Sequence, residues 1–245
     1  MTRSTMVDEI TERIAFQIAS GQVRAGDRLP SIRRLAEEHA VNPTTVQLVL
    51  ARLRAMGFVE PHHGLGVVVN DIEARGGIET WRYLFRFSRR LPETSVRILR
   101  DLLETLAIFY ASVVTKLEAD PSAYDPRPVR QALSRLDRLV ASGTASLTDV
   151  HQGVLDVLRA GSSAIGGGIL LGVLNSLGPM LGDVPEVLDA VFHDAGAHVW
   201  WWDQIVTAWE KGDAEAARAA LTLLDPWHAE VTERLRVALQ AQPTG

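Results

Sequence analysis

The chain has 245 residues, 47% of them hydrophobic and 22% charged, which supports one large or two ordinary cores and excludes wholesale disorder. It has no cysteine, which excludes disulfides and thiolate metal sites and agrees with a cytoplasmic protein. The net charge of −5 excludes a bulk polycation, yet it is unevenly spread: residues 1–70 hold eight Arg against seven acidic residues, a formal +1, and the rest of the chain is −6. The opening "MTRSTMVDEI" lacks the apolar core of a signal peptide.

In chain order, Ile10, Ile14 and Ile18 recur every four residues beside Ala15 and Ala19, which predicts an amphipathic helix stopped at Gly21. Ser31 is positioned to cap a second helix, "IRRLAEEHA". A third follows closely, with Asn42 as cap, Pro43 at the first helical position, and Val46, Leu50 and Leu53 on its apolar stripe up to Gly57. "FVEPHHGLGVVVN" reads as strand, glycine turn, strand. The order predicts a winged helix-turn-helix over residues 1–70, whose third helix points its N-terminal end into a major groove. Thr44, Thr45 and Gln47 lie off the apolar stripe at that end. The alternative is a three-helix module whose threonines only cap.

Residues 71–94 read as a connector, with Ile78, Trp81, Leu84 and Phe85 on one helical face and four Arg on the other. Residues 95–245 show only helical periodicity, so the fold class is mainly α, a winged helix-turn-helix followed by an all-helical bundle. "AIGGGILLGVLNSLGPML" holds five glycines and a proline and reads as a buried helix, not a membrane span. Trp200, Trp201 and Trp202 are consecutive, and residues about 100° apart on a helix cannot share one core face. No nucleophile motif, carboxylate pair or phosphate loop supports an enzyme.

Residues 7–70 resemble the DNA-binding domain of the GntR family of bacterial transcription regulators. The carrying residues are Leu29-Pro30-Ser31, Arg33, the Thr44-Thr45 pair and the wing tip Gly64-Leu65-Gly66. The resemblance implies that Arg33 and the threonines contact DNA, and that His63 and Gly64 enter the minor groove. It also implies a homodimer on a palindromic double-stranded operator. Many relatives carry Arg where Pro43 and Gln47 stand, so the operator sequence is not inherited.

"LRDLLETLA" and "AWEKGDAEAARAAL" resemble the helical domain of the FadR subfamily within GntR, which implies a domain enclosing a small-molecule effector. Most of that subfamily bind a metal with one Asp and three His. The corresponding positions here are Leu147, His151, Trp202 and Leu224, so no metal is expected at the usual site and no cofactor is assigned. His198 and His228, each one turn away, leave a displaced metal site as an alternative. The metal-free branch binds acyl-CoA, and the expected pocket comprises His151, Gly167, Trp202, Leu224, Asp225, His228 and Thr232. The leading expectation is an effector-responsive regulator sensing an acyl-CoA or another largely hydrophobic metabolite. A small-acid effector and a ligand-independent DNA binder are the alternatives.

Overall fold

The computed structural model describes residues 5–241 and divides the chain into two compact units, Met1–Phe87 and Ser88–Gly245. The first unit is built from α1 (Met6–Ala19), α2 (Ile32–Glu38), α3 (Pro43–Ala55), β1 (Val59–His62), β2 (Gly66–Val69), α4 (Ile72–Arg75) and α5 (Ile78–Phe85). Ile10, Ile14 and Ile18 meet Val46, Val49 and Leu53 in its core, all buried as the helical spacing requires. The strands pair antiparallel, Val59 opposite Val69 and His62 opposite Gly66. Arg28 forms an isolated bridge to Val68, which ties the loop before α2 to the wing.

Local chemistry sets the helix ends. Asn42 accepts at its Oδ1 from the Thr45 backbone N at 2.7 Å, and Pro43 begins α3 with no amide to leave unpaired. The turn between α2 and α3 is tight enough to force Ala40 to φ 51°, a left-handed conformation that costs an L-residue about 1–2 kcal/mol. Gly57 takes φ +80 between α3 and β1, and a Cβ there would stand 2.8 Å from Thr80 Oγ1. That hydroxyl instead donates to the Met56 carbonyl at 2.7 Å. Through Thr80, Leu84, Phe85 and the edge-on rings of Phe58, Tyr83 and Phe87, the connector residues 78–87 pack into the first unit.

The second unit is helical throughout its described residues: α6 (Pro92–Ala119), α7 (Arg127–Ala141), α8 (Leu147–Ala164), α9 (Gly168–Leu177), α10 (Pro185–Phe192), α11 (Ala195–Lys211), α12 (Ala214–Leu221) and α13 (Leu224–Gln240), with short 3-10 turns at Pro121–Ala123 and Gly178–Asp183. The mainly-α architecture with a small wing is as the sequence predicts. α6 packs against α12 and α13, α7 lies between α8 and α11, and α10 rests on α8 and α13. Arg130 of α7 clamps α11, donating to Glu210 through both Nε (2.9 Å) and Nη2 (2.7 Å) and to Thr207 Oγ1 at 2.9 Å.

The apolar run 164–181 departs from the expected buried helix. It divides at Gly178 into α9 and the 3-10 turn. Met180 and Leu181 of the turn are buried, whereas in α9 only Leu174 is, and Ile169 is 87% exposed. α9 rests one face on α8 and presents the rest outward. No helix among the described residues is long and apolar enough to cross a membrane.

Candidate functional site

The N-terminal turn of α3 is open to solvent. Pro43, Thr44 and Gln47 are exposed and Thr45 is half-buried, while Val46, Val49 and Leu50 turn inward. Thr45 is already committed: its Oγ1 donates to Asn42 Oδ1 at 3.0 Å, alongside the backbone cap. Arg33 sits on the exposed side of α2, its side chain 90% accessible and held only by Glu37 at 3.3 Å, one helical turn on. Arg34 and Glu38 repeat that pairing at 2.9 Å. His63 and Gly64 form the exposed wing turn, where Gly64 has φ +75 and Gly66 φ +85, so the tip needs backbone that other residues rarely adopt. Arg52, by contrast, is spent within the domain on an ion pair with Asp8 of α1. The Asp8 carboxyl is held at about 2, first by its hydrogen bonds to Thr5 and further by Arg52.

In the second unit a cavity of about 190 Å³, partly open to solvent, lies between α6, α8, α10, α11 and α13. His151, Trp202, Leu224 and His228 of the expected pocket all line it. Gly167, Asp225 and Thr232 do not. Gly167 precedes α9 and packs near Leu170 and the Ser162 carbonyl, Asp225 faces solvent, and the Thr232 hydroxyl donates back to the His228 carbonyl at 2.9 Å. The remaining walls include Leu103, Leu106, Tyr110, Phe192, Trp201 and Trp227. Sequence spacing held a clue to some of these: Leu103, Leu106 and Tyr110 follow the i, i+3, i+7 stripe of one helix.

Rings run continuously around this wall. Centroids are 5.6 Å apart from His151 to Phe192, 4.9 Å from Phe192 to His198, 5.0 Å from His198 to Trp227, and 5.4 Å from Trp227 to His228. Trp227 thus contacts both histidines of the alternative metal site. Among the described residues no three of His, Asp or Glu are grouped to hold a metal ion. The three tryptophans divide as helical geometry demands. Trp202 is buried, Trp201 donates its indole N–H to the Ala220 carbonyl at 2.9 Å, and Trp200 is 55% exposed at the cavity rim.

His151 donates from Nε2 to the Gly178 carbonyl at 3.0 Å, because a carbonyl can only accept, and its buried Nδ1 has no protein partner. His198 makes the same kind of bond to the Val191 carbonyl at 2.9 Å. His228 Nε2 is buried and also lacks a protein partner. Burial holds all three imidazoles below the usual histidine range, and the carbonyl bonds of His151 and His198 oppose this only in part. Burial likewise raises the Tyr110 phenol. The cavity wall is therefore uncharged at neutral pH.

A pH dependence follows. Folding keeps these histidines neutral, so the unfolded chain binds more protons below its own histidine pKa, about 6.5. Stability is full above that value and falls as pH drops towards the depressed folded values. Urea midpoints between pH 7.5 and 5 should decline, and less steeply in His151→Phe. A flat profile over that range would rule out neutral buried imidazoles.

Comparison with known proteins agrees with this geometry. Residues 6–69 match the family described as bacterial regulatory proteins, gntR family. The regulator Mce2R of Mycobacterium tuberculosis is 35% identical over 105 residues, 42% of each chain. LutR of Bacillus subtilis is 38% identical over 126 residues, covering 51% of this chain and 54% of that one. The fatty acid metabolism regulator protein of Pasteurella multocida is 31% identical over 135 residues, 55% of this chain and 53% of that one. The chain thus spans about half the length of these curated relatives. A solved Listeria monocytogenes structure, of the protein Lar that controls expression of the agr system, has the same fold with a TM-score of 0.57 at 16% identity over 96% of this chain and 98% of that one. Over residues 6–69 the N-terminal unit matches the gntR family of bacterial regulatory proteins, and the curated relatives named here are regulators.

Proposed function

We propose that this chain is a cytoplasmic, homodimeric transcription regulator that binds a palindromic operator through its winged helix-turn-helix and answers to a largely apolar small molecule held in its helical unit. The observation that carries the reading is the pairing, in one chain, of an exposed N-terminal turn of α3 with a partly open apolar cavity. The curated relatives are named as regulators, which supports the first half. The relative named for fatty acid metabolism supports a fatty-acyl group as one apolar body for the second. With about 190 Å³ of apolar space open on one side, an acyl-CoA would enter by its acyl end while the nucleotide stays outside.

Operator selection from random DNA, followed by gel shift with and without acyl-CoA, tests both halves. The expected result is a palindromic consensus, bound by a dimer and released by a ligand with an apolar body. A monomer in sedimentation at micromolar concentration, or no selected sequence, overturns the reading.

The exposed Gln47 carries a further expectation. Its amide pairs bidentately with adenine, and the neighbouring Pro43 offers no donor, so the positions read by this turn should not be guanine-directed. Gln47→Ala should relax one adenine position. A consensus whose strong guanines lose their preference in Gln47→Ala would contradict that assignment.

A further inference from the structure

Leu48 is 56% exposed in the middle of α3, although the other large aliphatic residues of that helix, Val46, Val49, Leu50 and Leu53, are all buried. A single exposed leucine is ordinary on a protein surface, so its position decides what it means. Successive helical residues are about 100° apart, which sets Leu48 about 40° from Thr44 on one side and Ala51 about 20° from Thr44 on the other. The core stripe of Val46, Val49 and Leu53 lies on the opposite side of the helix. Thr44, Leu48 and Ala51 are all exposed and form the ridge that points away from the core. All three side chains bear methyl groups.

The ridge has no charge. From Pro43 to Ala51 there is no Asp, Glu, Lys or Arg, and the next residue, Arg52, is spent on its ion pair with Asp8. A guanine edge is read best by Arg or Lys, and neither stands here. Beside the ridge, Gln47 offers an amide of the kind that pairs with adenine. The major groove is wide enough to admit a helix, and the apolar group that a base edge shows there is the C5-methyl of thymine.

Resting on the operator-binding reading above, we infer that Leu48 is a specificity-determining residue that selects thymine. Its δ-methyl groups pack on the C5-methyl of one thymine in each half-site, and both surfaces lose contact with water. A cytosine in that place presents a hydrogen where thymine presents the methyl, and a polar amino group beside it, which leaves the leucine unmatched. Apolar contact thus supplies at a thymine the readout that an arginine would supply at a guanine.

The test removes a methyl group from the DNA and nothing else. An operator selected from random DNA by the full chain is resynthesised with each thymine in turn replaced by deoxyuridine, and affinity is measured by fluorescence anisotropy at fixed salt. Burial of one such carbon is equivalent to about a fourfold factor, so the contacted position should lose about fourfold per half-site and about fifteenfold when both half-sites are changed. In Leu48→Ala the thymine and deoxyuridine operators should bind alike at that position. Gln47→Ala, which leaves the leucine in place, should keep the thymine preference. Leu48 is on the surface, so the urea midpoint of Leu48→Ala should match that of the unaltered protein; Leu48→Gln, similar in length but without the apolar end, is the second variant and should lose the preference as well. A deoxyuridine series with no loss beyond about twofold at any thymine, or a loss that persists undiminished in both Leu48 variants, overturns the inference. So does a Leu48→Ala protein that binds the operator as before but sediments as a smaller species, which would make Leu48 a contact between copies of the chain. Absence of any operator binding by the unaltered protein is a different result and sinks the regulator reading itself.

Discussion

Thr44→Ala and Arg33→Ala are each expected to lower operator affinity about 5- to 150-fold, the equivalent of 1–3 kcal/mol for a specific contact. Both side chains are exposed on the helix-turn-helix, so neither substitution should cost the fold more than about 0.5 kcal/mol. Arg33 is balanced only by an exposed i,i+4 partner, an interaction worth about 0.3–0.5 kcal/mol, and a DNA phosphate or guanine edge competes easily with that. Thr44 and Thr45 differ in a way that their adjacency conceals. The Thr45 hydroxyl proton is occupied by Asn42, so Thr45 must give up that bond before it can donate to a phosphate, although the backbone cap of α3 does not depend on it. Thr45→Ala should therefore weaken DNA binding less than Thr44→Ala. Arg52→Ala serves as the contrast, because its guanidinium is engaged with Asp8 and its loss should lower stability more than affinity. Gel-shift titrations at fixed salt, beside urea denaturation of each variant, separate the two effects. Unchanged affinity in both Thr44→Ala and Arg33→Ala would mean that this face does not read DNA.

The DNA-binding unit was legible in the sequence because its signals are local. A cap, a proline at the first helical position and a four-residue apolar repeat each act within one or two turns, and the structure realises them at Asn42, Pro43 and Ile10–Ile14–Ile18. The cavity of the helical unit was legible only in part, since it is assembled from five helices. His151, Trp202, Leu224 and His228 could be placed through a resemblance that supplied the register. Gly167, Asp225 and Thr232 could not, because which side of α13 or of the α8–α9 turn faces the cavity depends on packing angles. Phe192 and Trp227 lay unmarked for the same reason. Helix breaks were equally hard to see. The chain pauses between α10 and α11 where Asp194 caps the Ala197 amide at 2.9 Å, and between α12 and α13 where the Thr222 hydroxyl returns to the Ala219 carbonyl at 2.7 Å. The local signals there are weak ones: Gly196 and Pro226 stand in the first turns of α11 and α13, inside the helix and not at the break.

Trp202→Ala should be the most damaging single change in the helical unit, with a loss of about 3–5 kcal/mol for a buried aromatic truncated to a methyl. Trp202 is 5% exposed, and its ring stands edge-on to Tyr110 at 5.4 Å and to Trp201 at 5.1 Å. It also forms part of the wall of the 190 Å³ cavity and of a second, 30 Å³ cavity lined by Phe109, Val113 and Trp209. Truncation therefore does more than remove contacts. It joins two chambers across a site that α6 and α11 cannot close by relaxing, since Arg130 holds α11 to α7 and Tyr110 belongs to a helix of 28 residues. The penalty should lie at the upper end of the range, because the cost of a cavity grows with the volume that fails to collapse. Trp202→Phe keeps an aromatic in place and should lose clearly less. Added indole, which replaces the missing ring, should raise the melting temperature of Trp202→Ala more than that of the unaltered protein, by mass action on the folded state. Urea midpoints of the helical unit, followed by far-ultraviolet circular dichroism, give the comparison. A loss under about 1 kcal/mol in Trp202→Ala would show that the tryptophan plugs a space the helices can close without it.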